Sequence, residues 1–411
     1  MAIHPLWSWS PAAESPTLAL IAPSAARLPL AARLRRAGWA VRPVSPESLT
    51  APPASIARAI ADHLAAAAPD IVVGLCPPWW LGVAAQTRAA GLEDPPARWL
   101  LAPPPESRAE RPTDHAATLE RAALDRLARA AADAVDDPPT APHAVALSVE
   151  TNGRLAAWRE AGPPAQHPAA PPVSLGVVMV HRDRPALLAR ALTSLEAQTR
   201  PPDALVVVDA ASTDPASVQG ARAAVAAVRT GPARLLALDT ASLGAARAAG
   251  ADGLETDWLL FMDDDNLVPP EALATFARAA ATGAADLWTC WARLFPDEEP
   301  PPKGPPVTAP LYAPLGPVPG LMDRTNDMGD AHLLIHRAAF TRLGGFDPDP
   351  NTGAEDWDLL VRAWTAGLRH RVIPRVLLWK RQSPGSMSAT MDPARARARI
   401  VERLRAVGVP L

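Results

Sequence analysis

The sequence is short of cysteine, of lysine and of long apolar runs, and each shortage removes a class of protein. Cys76 and Cys290 are the only cysteines in 411 residues, so neither a disulfide framework nor a cysteine zinc site is available. Lys303 and Lys380 are the only lysines among 40 basic residues. Arginine supplies the rest, and beside so much alanine and proline it reads as the coding bias of a GC-rich genome rather than a binding surface. No apolar run approaches the roughly 18 residues that would mark a spanning helix. Met1 to Ser10 shows neither the basic nor the apolar region of a signal peptide. A formal charge of -3 gives no reason to expect a nucleic acid partner. A cytoplasmic protein is the expectation, with peripheral contact at a membrane surface left open.

What is present suits two α/β domains. Hydrophobic residues make up 48% of the chain and charged residues 20%, enough for packed cores. In residues 1–160 short apolar runs alternate with helical stretches: strands at Leu18–Ala22, Trp39–Val44, Asp70–Leu75, Arg98–Ala102 and His143–Val149, with helices near Ala25–Ala37, Ser55–Ala67, Val83–Ala90 and Ala116–Ala134. That alternation predicts a Rossmann-like, parallel, doubly wound sheet. No Gly-x-Gly-x-x-Gly follows the first strand, so a dinucleotide site is not indicated. Trp79 and Trp80, after the third strand, either fill a core crevice or stack on a sugar. Residues 161–172, rich in proline and alanine, have the composition of a semi-rigid linker. Residues 173–390 form the second domain, and 391–411 a C-terminal helix with Asp392 and Pro393 suited to its N-cap and first turn.

The chemistry concentrates after Trp258–Met262, a short apolar strand that runs into Asp263, Asp264 and Asp265. Asn266, Pro269 and Pro270 stop the strand at once. Alternate side chains of an extended chain share a face, which would direct Asp263 and Asp265 to one spot and Asp264 elsewhere. Converging carboxylates repel unless a cation lies between them, and hard oxygen ligands completed by phosphates suit Mg²⁺ or Mn²⁺. Upstream, an apolar strand leads to His181-Arg-Asp-Arg-Pro185. A helix follows, with Leu187, Leu188, Ala191, Leu192 and Leu195 on one face. The next strand, Ala204–Val208, ends in Asp209, at the carboxyl edge where open α/β sheets bind ligands.

Several motifs in this half, in order, resemble glycosyltransferase family 2 and its GT-A fold over about residues 173–387. They are Val177–Pro185, Leu192–Pro202, Val206-Val-Val-Asp-Ala-Ala-Ser-Thr-Asp214, Leu243-Gly-Ala-Ala-Arg-Ala-Ala-Gly250, the triplet Asp263–Asp265, Leu343-Gly-Gly-Phe-Asp347 and Glu355-Asp-Trp-Asp-Leu359. The strand order of residues 1–160 resembles half of a GT-B transferase more loosely.

The resemblance implies a transferase that moves a sugar from a UDP-, GDP- or dTDP-linked donor to a glycan, lipid-linked or protein acceptor. It implies that Asp209 and His181 lie in the nucleotide pocket and that Arg247 meets the diphosphate. It also implies that Asp265 ligates Mn²⁺ or Mg²⁺, with Asp263 and Asp264 contacting ribose or the metal's waters and Asp263 a second candidate ligand. Asp356 is the implied general base of an inverting displacement, with Glu355 and Trp357 beside it as implied substrate-binding residues. Trp357 reads either as an acceptor platform or, more in keeping with its type, as core, and Asp358 reads as structural. Ala210 and Ala211 replace the family's usual Asp and Gly, and Gln382 and Ser383 stand where many relatives carry a metal-binding His. The alternative reading is a catalytically silent sugar-nucleotide or glycan-binding protein. The proline-rich stretch between Phe295 and Gly320 is read either as a lid over the donor or as an insertion without a role in turnover. Asn326–Asp330 is a candidate lining of the acceptor site.

Overall fold

A computed structural model describes residues 172–296, 304–306, 308–349, 354–383 and 392–409 in the second half of the chain. In the first half it describes 17–21, 31–32, 34–35, 40–44, 53–67, 69, 71–74, 78–92, 98–101, 115–132 and 134–135. The expected strand at His143–Val149 and most of the expected helix at Ala25–Ala37 lie outside these residues. Two units are distinguished, Met1–Ala169 and Ala170–Leu411.

The first unit is an α/β layer. Strands β1 (Thr17–Ile21), β2 (Ala40–Val44), β3 (Ile71–Gly74), β4 (Arg98–Leu101) and β5 (Ala134–Val135) form one sheet in the order β2-β1-β3-β4-β5. Every pairing is parallel. The order is one of the two common doubly wound arrangements. Helices α1 (Pro53–Ala67), α2 (Gly82–Ala89) and α3 (His115–Ala131) supply the crossovers. The β1 positions Leu18, Ala19, Leu20 and Ile21 are all fully buried, as a central strand covered on both faces requires. Trp80 is buried at 2% exposure, which gives it to the core rather than to a ligand platform.

The second unit carries the site. Its strands are β6 (Leu175–His181), β7 (Ala204–Ala210), β8 (Ala233–Leu238), β9 (Trp258–Asp263), β10 (Leu287–Pro296), β11 (Leu311–Tyr312), β12 (Leu334–His336) and β13 (His370–Gln382). They build a mixed sheet in the order β11-β10-β12-β9-β6-β7-β8, with β13 on β10. β9, β6, β7 and β8 run parallel, while β12 is antiparallel to both β9 and β10. β12 is short, Leu334–His336. Before it, Asp330 accepts from the His332 amide at 3.1 Å, so that stretch turns instead of extending.

Register turns this sheet into a site. Val180 pairs with Asp263 and His181 with Asp209, so three residues singled out by sequence stand side by side at the carboxyl ends of β9, β6 and β7. Behind them lie the crossover helices α4 (Pro185–Glu196), α5 (Pro215–Ala226) and α6 (Leu243–Asp252). α4 buries Leu188, Ala191, Leu192 and Leu195; Leu187, expected on the same face, is only half-buried. α7 (Ala272–Ala281) follows the aspartate triplet, and α8 (Arg337–Arg342), α9 (Glu355–Thr365) and α10 (Pro393–Ala406) complete the unit.

Phe261 of β9 packs edge-on against Phe346 at 4.9 Å and tilted against Phe340 at 5.1 Å. Such aromatic pairs each add about 0.5–1.5 kcal/mol beyond area burial. α9 and α10 belong to the same core, through Trp357, Leu360 and Val361 on one and Ala396, Ile400 and Leu404 on the other. α10 starts as its sequence suggests: the Asp392 side chain accepts from the Ala394 amide and Pro393 opens the first turn. Polar clamps fix it on α9. The Asp358 carboxylate, with no exposure, accepts from Arg362 at 2.7 Å, Arg403 at 3.0 Å and Arg399 at 3.3 Å, and Asp347 also pairs with Arg399. Burial works to raise the Asp358 carboxyl, but Arg362 and Arg403 outweigh it and hold it below the ordinary carboxylate range. Its contribution is therefore present above about pH 4 and lost as pH falls through the lowered value. Asp358→Asn keeps the shape and removes the charge. A loss of about 2–3 kcal/mol is expected in urea unfolding near neutral pH, reduced from the full buried-pair cost because the arginines are partly solvated.

Candidate functional site

The aspartate triplet is organised by arginines. β9 runs one residue further than the apolar segment, to Asp263, and Asp264 and Asp265 belong to the turn. Strand alternation therefore does not place Asp265, and the expectation built on it is corrected: each carboxylate is placed by its own partners. Asp263 accepts from Arg247 at 2.8 Å. Asp264 has no exposure; it faces His181 Nδ1 at 2.7 Å and accepts from Arg184. Asp265 accepts through one oxygen, Oδ2, from Arg184 at 3.1 Å and Arg381 at 3.1 Å.

His181 and Asp264 were expected in the nucleotide pocket. Both are fully buried against each other, so they hold the end of β6 to the triplet instead of presenting a polar surface. Asp209 is 3% exposed and accepts from the Ser212 amide at 3.0 Å, closing its own turn. In that turn Ala211 takes φ 57°, a left-handed conformation that costs a residue with a Cβ about 1–2 kcal/mol and explains why glycine is the usual occupant. Asp183, at φ 51°, braces the same turn by accepting from the amides of Thr213 and Asp214.

Arg247 departs most from expectation. It is 1% exposed, not open to a diphosphate. One arm of its guanidinium donates to Asp263 and the other to Glu355 at 2.6 Å, and the plane lies 5.0 Å from the centre of the Phe346 ring. Burial disfavours its charge, but the two carboxylates outweigh that and raise its pKa. The physical reason is packing: α6 lies close enough to the Leu343–Asp347 segment that a Cβ on Gly244 would fall 1.9 Å from the Asp347 carbonyl oxygen, and Arg247 is carried inward with it. Arg247 thus ties the end of β9 to the start of α9.

α9 presents Glu355, Asp356 and Asp358 in its first turn, where the helix dipole favours negative charge. Asp356 is partly exposed and accepts from the Trp357 amide at 2.7 Å. Its carboxyl is pushed up to about 7 by burial and by the charges of Glu355 and Asp330, against the opposing pull of Lys380. Trp357 is buried and donates its indole N–H to the Met322 carbonyl at 3.0 Å. It is a core residue, not an acceptor platform.

Several members of the site were not assigned from sequence. Lys380 Nζ pairs with Asp330 Oδ2, and its charge also bears on Asp356 and Asp263. Tyr312 donates to the Asn326 carbonyl at 2.8 Å. Burial and the charges of Asp330 and Asp356 raise its hydroxyl well above the ordinary range. Arg184 and Arg381 converge on Asp265, and Arg381 comes from the end of β13, the segment in which a metal-binding histidine was sought. A usable signal existed for Lys380: in a chain that uses arginine almost everywhere, a lysine between Trp379 and Arg381 is a departure from its own habit.

A divalent cation can be tested against these donors. Among the described residues no group of three or more His, Cys, Asp or Glu side chains is gathered as a metal site. Two hard oxygens nevertheless fit one. Asp263 uses Oδ1 for Arg247 and Asp265 uses Oδ2 for its arginines, so Asp263 Oδ2 and Asp265 Oδ1 have no donor among the described residues. Burial and the neighbouring charge of Asp263 push the Asp265 carboxyl up, the electrostatic setting that a cation relieves.

Residues 176–339 match the family model described as Glycosyl transferase family 2. The match covers less than half of the chain; it includes the aspartate triplet and ends before Glu355 and Asp356. No curated protein matches the chain. Among solved structures, residues 1–349 of S. aureus TarS in complex with UDP-GlcNAc show 17% identity and a TM-score of 0.44, covering 58% of this chain and 68% of that one. The TarS fragment 1–349 by itself gives 18% identity and 0.41, covering 58% and 66%. TarS itself gives 18% and 0.39, covering 56% of this chain and 43% of its own. Similarity at that level bears on neither donor nor acceptor. No described helix is long and apolar enough to cross a membrane.

Proposed function

We propose that this glycosyltransferase, marked as one by its family 2 segment at residues 176–339, moves a sugar from a nucleotide diphosphate donor to an acceptor hydroxyl in one inverting displacement. The observation that carries the reading is Asp356: a partly exposed carboxyl, pushed up to about 7, on a helix start tied through Glu355 and Arg247 to the aspartate triplet. A general base works best with a pKa near the operating pH. Asp356 takes the proton of the acceptor hydroxyl as its oxygen bonds to the anomeric carbon. The bond from that carbon to the diphosphate oxygen breaks on the opposite face, and the nucleoside diphosphate leaves with the electron pair.

The donor lies along the carboxyl edge of β6, β7 and β9. Asp209 faces the base or ribose from its closed turn, while His181 and Asp264 fix the floor. Asp265, with Asp263, would hold Mn²⁺ or Mg²⁺. A cation bound there would supply neutralisation of the charge that builds on the leaving group. Arg184 and Arg381, already beside Asp265, are placed to share that work through bidentate contacts to phosphate oxygens. Glu355 positions Arg247, and Trp357 supports the base from the core. The acceptor is a glycan, a lipid-linked glycan or a protein, and the first unit serves as scaffold or acceptor holder.

The test is release of nucleoside diphosphate from a panel of UDP-, GDP- and dTDP-sugars, with Mn²⁺ and with EDTA, for wild type, Asp265→Ala and Asp356→Asn. Metal-dependent release from one donor, lost in Asp265→Ala, is the expected result. No release together with no calorimetric binding of any nucleotide sugar would remove the transferase reading and leave a glycan-binding protein.

A further inference from the structure

Two arginines from distant parts of the chain meet on one oxygen atom. Arg184 stands directly before α4, where its carbonyl accepts from the amides of Leu187 and Leu188, both at 3.1 Å. Pro185 opens that helix and lies so close to α5 that a Cβ on Gly220 would come within 2.7 Å of Pro185 Cβ. Arg381 lies near the end of β13, opposite Phe295 of β10. On the other side its amide donates to Asn266 Oδ1 at 3.0 Å, and Trp379 exchanges two backbone hydrogen bonds with Leu267, at 2.8 and 3.0 Å. Both backbones are thus fixed, and both side chains reach the turn that carries Asp264 and Asp265.

The side chains divide the aspartates between them. Arg184 forks, donating to Asp264 Oδ1 through one nitrogen and to Asp265 Oδ2 at 3.1 Å through the other. Arg381 donates to the same Asp265 Oδ2, from Nη2 at 3.1 Å and from Nε at 3.3 Å. The second oxygen of Asp264 faces His181 Nδ1 at 2.7 Å. A third arginine, Arg247, is shared between Asp263 and Glu355. Asp264 and Asp265 are therefore matched one for one by Arg184 and Arg381, and Asp265 Oδ2 takes hydrogen bonds from both guanidinium groups. A divalent cation on the other oxygen of Asp265 would face those two like charges across a few ångströms, which disfavours it.

We propose that Arg184 and Arg381 are stand-in counter-ions for Asp265, which keep a bare divalent cation off it and turn to the diphosphate when the donor enters, so that cation and nucleoside diphosphate bind together. The inference rests on the reading of Asp263 and Asp265 as the cation's ligands and of a nucleotide sugar as the donor. A lone cation would gain one or two carboxylates against the opposition of two guanidinium groups. The described residues gather no group of three acidic, His or Cys ligands to outweigh that opposition. A cation that arrives with the diphosphate is in a different position. Phosphate oxygens complete its shell, and they also offer the guanidinium groups new acceptors as Asp265 turns to the metal. The fork of Arg184 suits this exchange, because the arm on Asp264 can stay while the arm on Asp265 changes partner. Its side chain is 43% exposed against 10% for Arg381, so it is the more open of the two to a ligand.

Removing either arginine should change two affinities in opposite directions, and this makes the proposal testable without turnover. Binding of Mn²⁺ is followed by electron paramagnetic resonance of the free ion, first with no nucleotide and then with UDP, GDP or dTDP. Binding of the same nucleotides without metal is followed by calorimetry in EDTA. The proteins are wild type, Arg184→Gln, Arg381→Gln, and Arg381→Gln combined with Asp265→Asn. Wild type is expected to bind Mn²⁺ about tenfold or more tightly with its nucleoside diphosphate than without it. Each arginine variant should bind bare Mn²⁺ about tenfold more tightly than wild type, the order for loss of one close like charge, and should bind metal-free nucleotide more weakly. The added Asp265→Asn should cancel the gain in bare Mn²⁺. If Arg381→Gln does not fold, Arg184→Gln, at the more exposed position, decides alone. No rise in bare Mn²⁺ affinity in either variant would overturn the proposal and leave two arginines that only hold the turn in shape. Wild-type Mn²⁺ binding that a bound nucleotide does not strengthen would overturn it as well. Failure of every nucleoside diphosphate to bind wild type, with the gain in bare Mn²⁺ and its cancellation intact, would count against the donor reading and leave the arginines as counter-ions of Asp265.

Discussion

Asp356→Asn is expected to reduce sugar transfer by about 10²–10⁴-fold, the range for loss of a general base, while donor binding in calorimetry is retained. In the proposed role Asp356 works only when deprotonated. With its carboxyl pushed up to about 7, the rate should climb with pH to about 7 and level off above, and the residual rate of the variant should lack that limb. Stability should move the other way. An unfolded aspartate titrates near 3.9, so between about pH 4 and 7 the folded protein holds the proton more tightly than the unfolded chain. Wild-type stability therefore falls as pH rises through that window, and the cost is fully present above it. Asparagine carries no such cost. Near pH 8 the variant should be more stable by about 1–3 kcal/mol, a figure discounted for partial exposure of the group, and near pH 4 the two should coincide. Paired urea titrations at the two pH values check this. A variant less stable than wild type near pH 8 would contradict the origin given for the raised carboxyl.

Arg247→Met carries the largest expected loss of stability. The side chain sits at 2% exposure between Asp263, at 29%, and Glu355, at 10%. Removing the cation leaves two carboxylates facing an apolar hole. Breaking a buried pair from one side costs about 3–5 kcal/mol, and the solvent access of Asp263 places this case near the lower end. Lys at the same position keeps the charge but cannot fork to both carboxylates, so Arg247→Lys should fall between the two. Adding Glu355→Gln to Arg247→Met removes one of the stranded charges and should recover part of the loss. Urea midpoints of the four proteins measure this directly. A loss below about 1 kcal/mol in Arg247→Met would show that the carboxylates are solvated well enough to need no partner. Donor release should also fall in Arg247→Met, since Asp263 and the start of α9 lose their common anchor.

The parts of the fold that follow local periodicity were legible in the sequence. Leu175–His181, Ala204–Ala210 and Trp258–Asp263 are apolar runs bounded by turn residues, and each forms a parallel strand where its pattern predicts. The helix at Pro393–Ala406 was legible from Asp392 and Pro393 alone. Asp356 could be placed on a helix start because Glu355-Asp-Trp-Asp precedes a helical apolar pattern. Side-chain direction across the sheet was not legible. Nothing in Leu243–Gly250 says that α6 is drawn against the Asp347 backbone, and without that contact Arg247 would sit at the surface, where a diphosphate could reach it. The partners of Asp265 come from positions 184 and 381, and Lys380 meets an aspartate 50 residues away in sequence. Those approaches depend on how β10, β12 and β13 stack, which no local pattern encodes. His181 and Asp264 show the same limit: both residue types suit a ligand pocket, and only tertiary packing decides that each is the other's partner.

The scarcity of lysine gives the Asp330–Lys380 pair a practical consequence. The chain offers only two side-chain amines to an acylating reagent, at positions 303 and 380. The second is protonated beyond the ordinary range of an amine by Asp330, and a protonated amine does not attack. Peptide mapping after brief acylation therefore reads the state of the ion pair at a single residue, with almost no background from the rest of the protein. A molecule that enters the site and draws Asp330 away would announce itself as a change in labelling at Lys380, before its own chemistry is known.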